Sequence, residues 1–212
     1  YCQFGVGKTS KVVSNFPSRN DVIEELKSAL NYHSNINAVT LAGNSEPTEH
    51  PKFQDIVGDI LELQHASHSW ILNCLSNGSN LDDDVICDAC NKLDEVWIKL
   101  DCATNLLFKR LNRPLSIIGT VEDHLKRLEK LRSLRIQTLL WKSPSRSDLG
   151  NWNPNNLDSL LTAYRHLDPY KIHMTTIARK TPVEHLIPIN KYDLKQFAKK
   201  VEGLGIPVEV FL

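Results

Sequence analysis

Residues 37–57, NAVTLAGNSEPTEHPKFQDIV, hold in one stretch the pattern that decides the fold. The first seven residues are mostly apolar and end at Gly43, which predicts a short buried strand. A polar loop follows, and Pro51 stands where proline favours the first turn of a helix. Apolar residues then recur at helical spacing, as Phe53, Ile56, Val57, Ile60 and Leu63. The stretch therefore predicts a strand, a loop and a helix.

The same order repeats along the rest of the chain. Strands are predicted within 69–78, 95–101, 134–141, 170–177 and 207–212, and helices within 82–93, 120–131, 153–167 and 190–205. An earlier helix begins at the capping pair Ser18 and Asp21 and ends near Tyr32. Apolar strands between amphipathic helices indicate a parallel sheet covered by helices. Two architectures satisfy this pattern: a complete or partial β/α barrel, and an open doubly wound sheet.

Composition limits the classes to which the chain can belong. Its 212 residues suffice for one domain, and 41% hydrophobic with 24% charged residues argue against a disordered or coiled-coil chain. The formal net charge of +0 provides no global attraction to nucleic acid or anionic membranes. No apolar run reaches the roughly 20 residues of a membrane span. Five cysteines without secretory features indicate reduced thiols, and we expect a cytoplasmic protein.

Polar residues stand at or near the carboxyl ends of the predicted strands, where ligands gather in both architectures. They are Gly43, Asn44, Ser45 and Glu46 after the first strand, Ser76 and Asn77 after the second, Asp101 after the third, Gln137 in the fourth, and His173 and Arg179 in or after the fifth. Position alone leaves open whether they form a site or only solvated loops. The structural alternatives are a turn or helix-dipole role for Glu46, a helix cap for Asp101, a core position for His173 and a loop anchor for Arg179.

Two other motifs have structural explanations. Cys87 and Cys90 have a spacing that suits zinc, but they lie in a predicted helix without a second ligand pair, so buried thiols are expected. GVGKT, at residues 5–9, lacks the full spacing of a nucleotide-binding P-loop, and no strand precedes it.

Residues 39–57 are similar to the GGEP segment of the radical S-adenosylmethionine (radical SAM) enzymes, with Gly43, Asn44, Ser45, Glu46 and Pro47 in the corresponding places. The opening YCQFGVGKT resembles the end of that family's C-x3-C-x2-C loop, with Cys2 as the third cysteine. Residues 76–114 resemble the middle of the family. Residues 171–211 resemble the end of its small members, described as Fe-S oxidoreductases or wyosine-base-forming-like proteins. The resemblance covers nearly the whole chain.

The resemblance implies a partial (β/α)6 TIM-like barrel of parallel strands with outer helices, as a single domain over residues 1–212. It places most of the first strand and cluster loop before residue 1. It also implies a 4Fe-4S cluster, with Cys2 as a ligand, and S-adenosylmethionine. The implied cofactor-binding residues are Tyr1, Gly43, Asn44, Ser45, Glu46, Ser76, Asn77 and Asp101. Gln137, His173 and Arg179 are substrate-side candidates from their position.

Two classes of function follow. The first is an enzyme that cleaves S-adenosylmethionine reductively to a 5′-deoxyadenosyl radical, which abstracts hydrogen from a substrate. That substrate is a small molecule, a peptide or a tRNA base, and the electron donor is a protein such as flavodoxin or ferredoxin, without a membrane partner. The second is a cluster-less remnant or a non-enzymatic α/β binding module. With Cys2 alone from the cluster loop, the 212-residue chain by itself is expected to hold no stable cluster.

Overall fold

A computed structural model describes residues 16–43, 45–67, 70–114, 119–145, 149–179 and 181–212. Within these ranges, helices and strands alternate as the sequence predicts. They are α1 (Arg19–Tyr32), β1 (Ala38–Leu41), α2 (Phe53–Ser67), β2 (Ile71–Ser76), α3 (Asp84–Cys90), β3 (Glu95–Lys99), α4 (Asn105–Leu107), α5 (Val121–Leu128), β4 (Leu134–Lys142), α6 (Pro154–Leu167), β5 (Lys171–Thr176), β6 (Ile187–Pro188), α7 (Lys191–Glu202) and β7 (Val208–Phe211). A 3-10 turn (Pro47–Glu49) and a π-helical segment (Phe108–Asn112) complete the elements.

The strand order distinguishes between the two predicted architectures. The sheet runs β1-β2-β3-β4-β5-β7, with neighbouring strands parallel, and the short β6 pairs antiparallel with β4. A doubly wound sheet reverses its strand order at a switch point, and this sheet does not. A sequential parallel order with right-handed crossovers places the connecting helices on one side, as in a β/α barrel. The prediction of a partial barrel is confirmed.

Burial alternates along the central strands because only one face of the sheet is covered. Ile136 and Ile172 are fully buried, whereas their neighbours Gln137 and His173 are only partly buried. We call the less covered side the inner face. From β3 to β7 it carries Trp97, Lys99, Arg135, Gln137, Leu139, Lys171, His173, Thr175 and Glu209. Most of these side chains are polar, so this face is suited to a ligand.

Local sequence signals fix the helix starts. Ser18 accepts a hydrogen bond from Asp21 N while Asp21 accepts one from Ser18 N, which is the predicted capping box of α1. Thr120 and Asp123 repeat this arrangement at α5. Asn153 caps α6, whose first residue is proline.

Amide side chains hold the segment after β4 against the end of β3. Asn151 Nδ2 donates to the carbonyls of Asp101 (2.9 Å) and Leu139 (2.7 Å), and its Oδ1 accepts from Trp141 N (2.8 Å). Asn156 Nδ2 also donates to the Asp101 carbonyl, at 3.3 Å. These bonds fix the backbone at the carboxyl end of β3. In the described ranges, no helix is long and apolar enough to cross a membrane.

Candidate active site

The turn after β1 is tied to the end of β2 through Glu46. Its Oε1 accepts hydrogen bonds from Thr48 N (3.3 Å), Thr48 Oγ1 (2.7 Å) and Ser76 Oγ (2.6 Å), and its Oε2 accepts one from Asn77 N (2.7 Å). Glu46 is also the N-cap of the 3-10 turn, and Pro47 is its first residue. The turn role considered from the sequence therefore exists. It leaves Glu46 at the carboxyl ends of two neighbouring strands.

The turn after β2 depends on glycine. Gly78 has φ +72°, a conformation that side chains disfavour, and its N–H donates to Ser76 Oγ at 3.0 Å. A Cβ at this position would lie 2.9 Å from Leu128 Cδ2 and 3.1 Å from His124 Cε1. The lack of a side chain thus lets α5 approach the turn that presents Asn77.

An open cleft lies at the carboxyl ends of β1 to β4. The predicted residues that line it are Gly43, Ser45, Glu46, Ser76, Asn77 and Gln137, and Lys99, Arg113 and His124 line it as well. A parallel sheet brings the ends of its strands to one rim, so this gathering follows from the topology. Glu46 and Lys99 give the cleft a carboxylate and an ammonium group.

The hydroxyl of Ser45 in the cleft has no hydrogen-bond partner among the described residues. Ser45 Oγ is buried and, among the described residues, makes no hydrogen bond. Buried hydroxyls are normally paired, because an unpaired one costs about 1–3 kcal/mol. Near it, Gly43 has an open side, since a Cβ there would lie 3.8 Å from the backbone nitrogen and oxygen of Ser45, which is ordinary van der Waals contact. The turn therefore has both an unused hydroxyl and space for a ligand.

Sequence comparison finds distant relatives. No protein-family profile matches the chain. The protein named GTPase Obg of Brachyspira hyodysenteriae is 24% identical over 213 residues, covering 99% of this chain and 30% of that protein. A UPF0026 protein of Helicobacter pylori is 24% identical over 183 residues, covering 84% of this chain and 56% of that protein. The chain thus spans less than two thirds of the length of either relative.

Comparison with solved structures identifies the fold more specifically than sequence comparison does. A radical SAM methyltransferase from Sphaerobacter thermophilus matches with a TM-score of 0.69 at 14% identity, over 99% of this chain and 62% of that one. A domain of the pyruvate-formate lyase-activating enzyme from Bacteroides vulgatus matches with a TM-score of 0.62 at 15% identity, over 83% of this chain and 99% of that one. The chain has the fold of a radical SAM core domain.

The same core fold is found in a protein crystallised with S-adenosylmethionine. Streptococcus suis SuiB bound to S-adenosylmethionine matches with a TM-score of 0.62 at 13% identity, over 93% of this chain and 44% of that one. In the radical SAM core fold of this chain, the cleft lies on the rim where barrels hold their ligands.

At the carboxyl end of β3, the cleft is lined by Lys99 and not by the predicted Asp101. Asp101 is buried, and its Oδ1 accepts from Leu139 N (2.7 Å) and lies 3.2 Å from Lys99 Nζ. Lys99, two residues earlier and on the inner face, lines the cleft, while Asp101 is not among the lining residues. Thr104 caps α4 itself, so Asp101 does not cap that helix. The structure makes Lys99 the cleft residue at the end of β3 and Asp101 its partner.

The three substrate-side candidates differ in how close they lie to the cleft. Gln137 lines the cleft, and His173 lies directly beside it on the next strand of the inner face. His173 packs on Trp97, with ring centroids 3.7 Å apart, and its Nε2 lies 3.4 Å from Glu209 Oε2. Burial and the nearby Lys171 ammonium lower the pKa of His173, although Glu209 opposes this. Arg179 follows β5 and is not among the cleft residues.

The cysteines of the described ranges behave as core residues. Cys74, Cys87, Cys90 and Cys102 are buried, and burial raises the pKa of each thiol, that of Cys90 to about 12. No three His, Cys, Asp or Glu side chains of the described residues are grouped to hold a metal ion. The expectation of buried thiols at Cys87 and Cys90 agrees with this. Cys2, Tyr1 and Asn44 lie outside the described residues, so their predicted roles stay predictions.

His124 in α5 was not singled out from the sequence, although its position carries a signal. It follows Val121 by three residues and precedes Leu128 by four, which places it on the apolar stripe of the helix. The structure buries all three residues. A buried histidine on such a stripe needs hydrogen-bond partners for its ring nitrogens within the protein, or stays uncharged, or binds a ligand.

Proposed function

We propose that this chain is the core of a radical SAM enzyme. S-adenosylmethionine would bind in the cleft at the carboxyl ends of β1 to β4, beside a 4Fe-4S cluster, and an unidentified substrate would bind toward Gln137. When bound, the cluster supplies the electron that breaks S-adenosylmethionine into methionine and a 5′-deoxyadenosyl radical, which abstracts hydrogen. The observation that carries the proposal is the unpaired Ser45 hydroxyl beside Glu46 in a radical SAM core fold.

The Glu46 turn fits the ammonium group of the cofactor. A carboxylate has about four acceptor positions. Oε1 of Glu46 accepts three hydrogen bonds from the protein and Oε2 only one, so Oε2 keeps capacity for an ammonium donor. The Ser45 hydroxyl and the open side of Gly43 provide a further acceptor and the space for close approach.

Lys99 fits the carboxylate group of the cofactor. The Lys99 ammonium lines the cleft, lies 3.2 Å from Asp101 Oδ1 and is complementary in charge to a ligand carboxylate. Because Asp101 is held by Leu139 N, it fixes Lys99 and its charge beside the cleft. The four buried cysteines do not fit the cluster, so its binding would depend on Cys2.

The direct test is S-adenosylmethionine cleavage. The full-length protein is reconstituted anaerobically with iron and sulfide, given S-adenosylmethionine and dithionite, and assayed for 5′-deoxyadenosine by liquid chromatography. We expect product in the wild type and a loss of about ten- to a hundredfold in Glu46→Gln, because a charge-assisted hydrogen bond is removed. Glu62→Gln, an exposed change of the same charge on α2, is the matched control.

Ser45→Ala separates ligand binding from folding. Since Ser45 Oγ makes no hydrogen bond within the described part of the chain, its removal should not lower the melting temperature, and relief of the buried unpaired hydroxyl should raise it slightly. It should weaken S-adenosylmethionine binding about three- to tenfold in calorimetry. A reconstituted protein that stays colourless and neither binds nor cleaves S-adenosylmethionine would disprove the enzyme and favour the non-enzymatic binding module.

A further inference from the structure

His124 is a second polar group on the cleft wall, on the other side of Gly78 from the Glu46 turn. It lines the cleft, yet only 2% of the residue is exposed. Its ring stacks on Phe108, with centroids 5.4 Å apart and planes at 28°. Its Cε1 edge packs against Gly78, where even a Cβ would come within 3.1 Å. These contacts fix the plane of the imidazole beside the cleft.

One imidazole nitrogen of His124 has no hydrogen-bond partner among the residues that the structure describes. In the ranges that the structure describes, the buried His124 Nδ1 makes no hydrogen bond. Burial, assisted by the charge of Arg127, lowers the pKa of His124 to about 4, so the ring is neutral at pH 7. A neutral imidazole has one donor and one acceptor nitrogen. Buried polar groups of this kind are usually satisfied, so an unpaired nitrogen on a residue that lines the cleft points to a ligand.

The chemistry of the ring selects one part of the proposed cofactor. S-adenosylmethionine has a charged amino-acid part and a neutral nucleoside part. Glu46 and Lys99 match the ammonium and the carboxylate by charge. A neutral imidazole that cannot easily become protonated is complementary instead to neutral hydroxyls and ring nitrogens. These are the groups of ribose and adenine.

We propose that His124 binds the nucleoside part of S-adenosylmethionine, through a hydrogen bond between its imidazole and a ribose hydroxyl or an adenine nitrogen. The proposal rests on the function proposed above and assigns a residue of α5 to the same cleft. It requires that loss of the imidazole weakens the binding of adenosyl compounds and leaves the binding of methionine unchanged.

The test uses the two halves of the cofactor as separate probes. Calorimetry on the anaerobically reconstituted full-length protein measures the Kd of 5′-deoxyadenosine and, separately, that of methionine. His124→Phe keeps an aromatic ring against Phe108 and removes both nitrogens. We expect its Kd for 5′-deoxyadenosine to rise about three- to tenfold, and its Kd for methionine to stay the same. His166→Phe, on the exposed side of α6, is the matched control and should change neither value.

A measurement on the wild type makes the test independent of the variant's folding. With ¹⁵N-labelled histidine, the His124 nitrogen resonances should move on addition of 5′-deoxyadenosine and stay in place on addition of methionine. The inference alone is overturned if 5′-deoxyadenosine binds without moving these resonances, or binds His124→Phe as tightly as the wild type. If neither 5′-deoxyadenosine nor S-adenosylmethionine binds the wild type, the inference and the proposed function fail together.

Discussion

His124 couples the stability of the fold to pH, because its imidazole is buried in the neutral form. Burial lowers the folded-state pKa to about 4, against a usual value of 6.5. Above pH 6.5 the folded and unfolded chains both keep this ring neutral. As the pH falls from about 6.5 to 4, the unfolded chain takes up the proton and the folded chain does not, so stability is lost. The shift corresponds to about 3 kcal/mol.

His124→Phe should remove this part of the pH dependence. The free energy of unfolding, from urea denaturation at pH 7 and at pH 4, is expected to fall by about 3 kcal/mol more in the wild type than in the variant. Comparing the two proteins cancels the loss of stability that comes from protonation of carboxylates at low pH, because both proteins share it. Equal losses in the wild type and the variant would contradict a neutral, buried His124.

Gly78 and Gly205 have similar backbone angles and different surroundings, so they separate backbone strain from crowding. Gly78 has φ +72° and Gly205 φ +87°, but a Cβ would meet Leu128 and His124 only at Gly78. Gly205→Ala should cost about 1–2 kcal/mol from the backbone alone. Gly78→Ala should cost about 1–3 kcal/mol more in denaturant unfolding, because it overpacks the contact with α5. Similar losses of unfolding free energy at both positions would show that α5 shifts away from the Gly78 turn without cost.

At the residue level, the sequence predicted the turn residues better than the charged ones. Gly43, Ser45, Glu46, Ser76 and Asn77 line one cleft because they follow neighbouring parallel strands. The choice between Lys99 and Asp101 was not predictable in the same way. It depends on a hydrogen bond between residues distant in sequence: Leu139 N donates to Asp101, which keeps Asp101 buried, while Lys99 lines the cleft.

At the level of elements, Asn151 makes three of the side-chain hydrogen bonds that hold the segment after β4. Asn151 is fully buried and bonds three backbone groups, whereas Asn153 caps α6 and donates one long hydrogen bond, of 3.4 Å, to the Gly150 carbonyl. Asn151→Ala leaves those buried groups unpaired and should cost about 2–4 kcal/mol. Asn153→Ala should cost about 1 kcal/mol as the loss of a cap. Equal effects on the melting temperature would contradict this difference.

Most elements follow from sequence periodicity, and the exceptions have physical causes. The strands and long helices follow the predicted segments because strands are mostly apolar runs and helices have an apolar stripe. β4 extends one residue further, to Lys142, and β1 is partly exposed where a buried strand was predicted, because it pairs with β2 alone among the described strands. β6 was missed because its two residues become a strand only by pairing with Trp141 and Lys142 of β4. The π-helical segment Phe108–Asn112 also lacks a periodic pattern from which it could be predicted.

On the scale of the whole molecule, the sheet is most stable at its centre. β4 pairs with β3 and β5 on its two sides, whereas among the described residues β1 pairs only with β2. Hydrogen–deuterium exchange should therefore be slowest at residues 136–140 and much faster at residues 38–41. Mass spectrometry of peptides from the two strands measures this. Equal protection of β1 and β4 would mean that β1 is covered on its other edge.

The one-sided helical cover of the sheet has an evolutionary consequence. Along β3, β4 as far as Leu140, β5 and β7, residues of even number face the helices and residues of odd number face the inner side. Selection for stability therefore acts mainly on the even-numbered residues of these strands, and selection for ligand preference acts mainly on the odd-numbered ones. A lineage with this architecture can diversify its chemistry at odd positions while its interior is inherited unchanged.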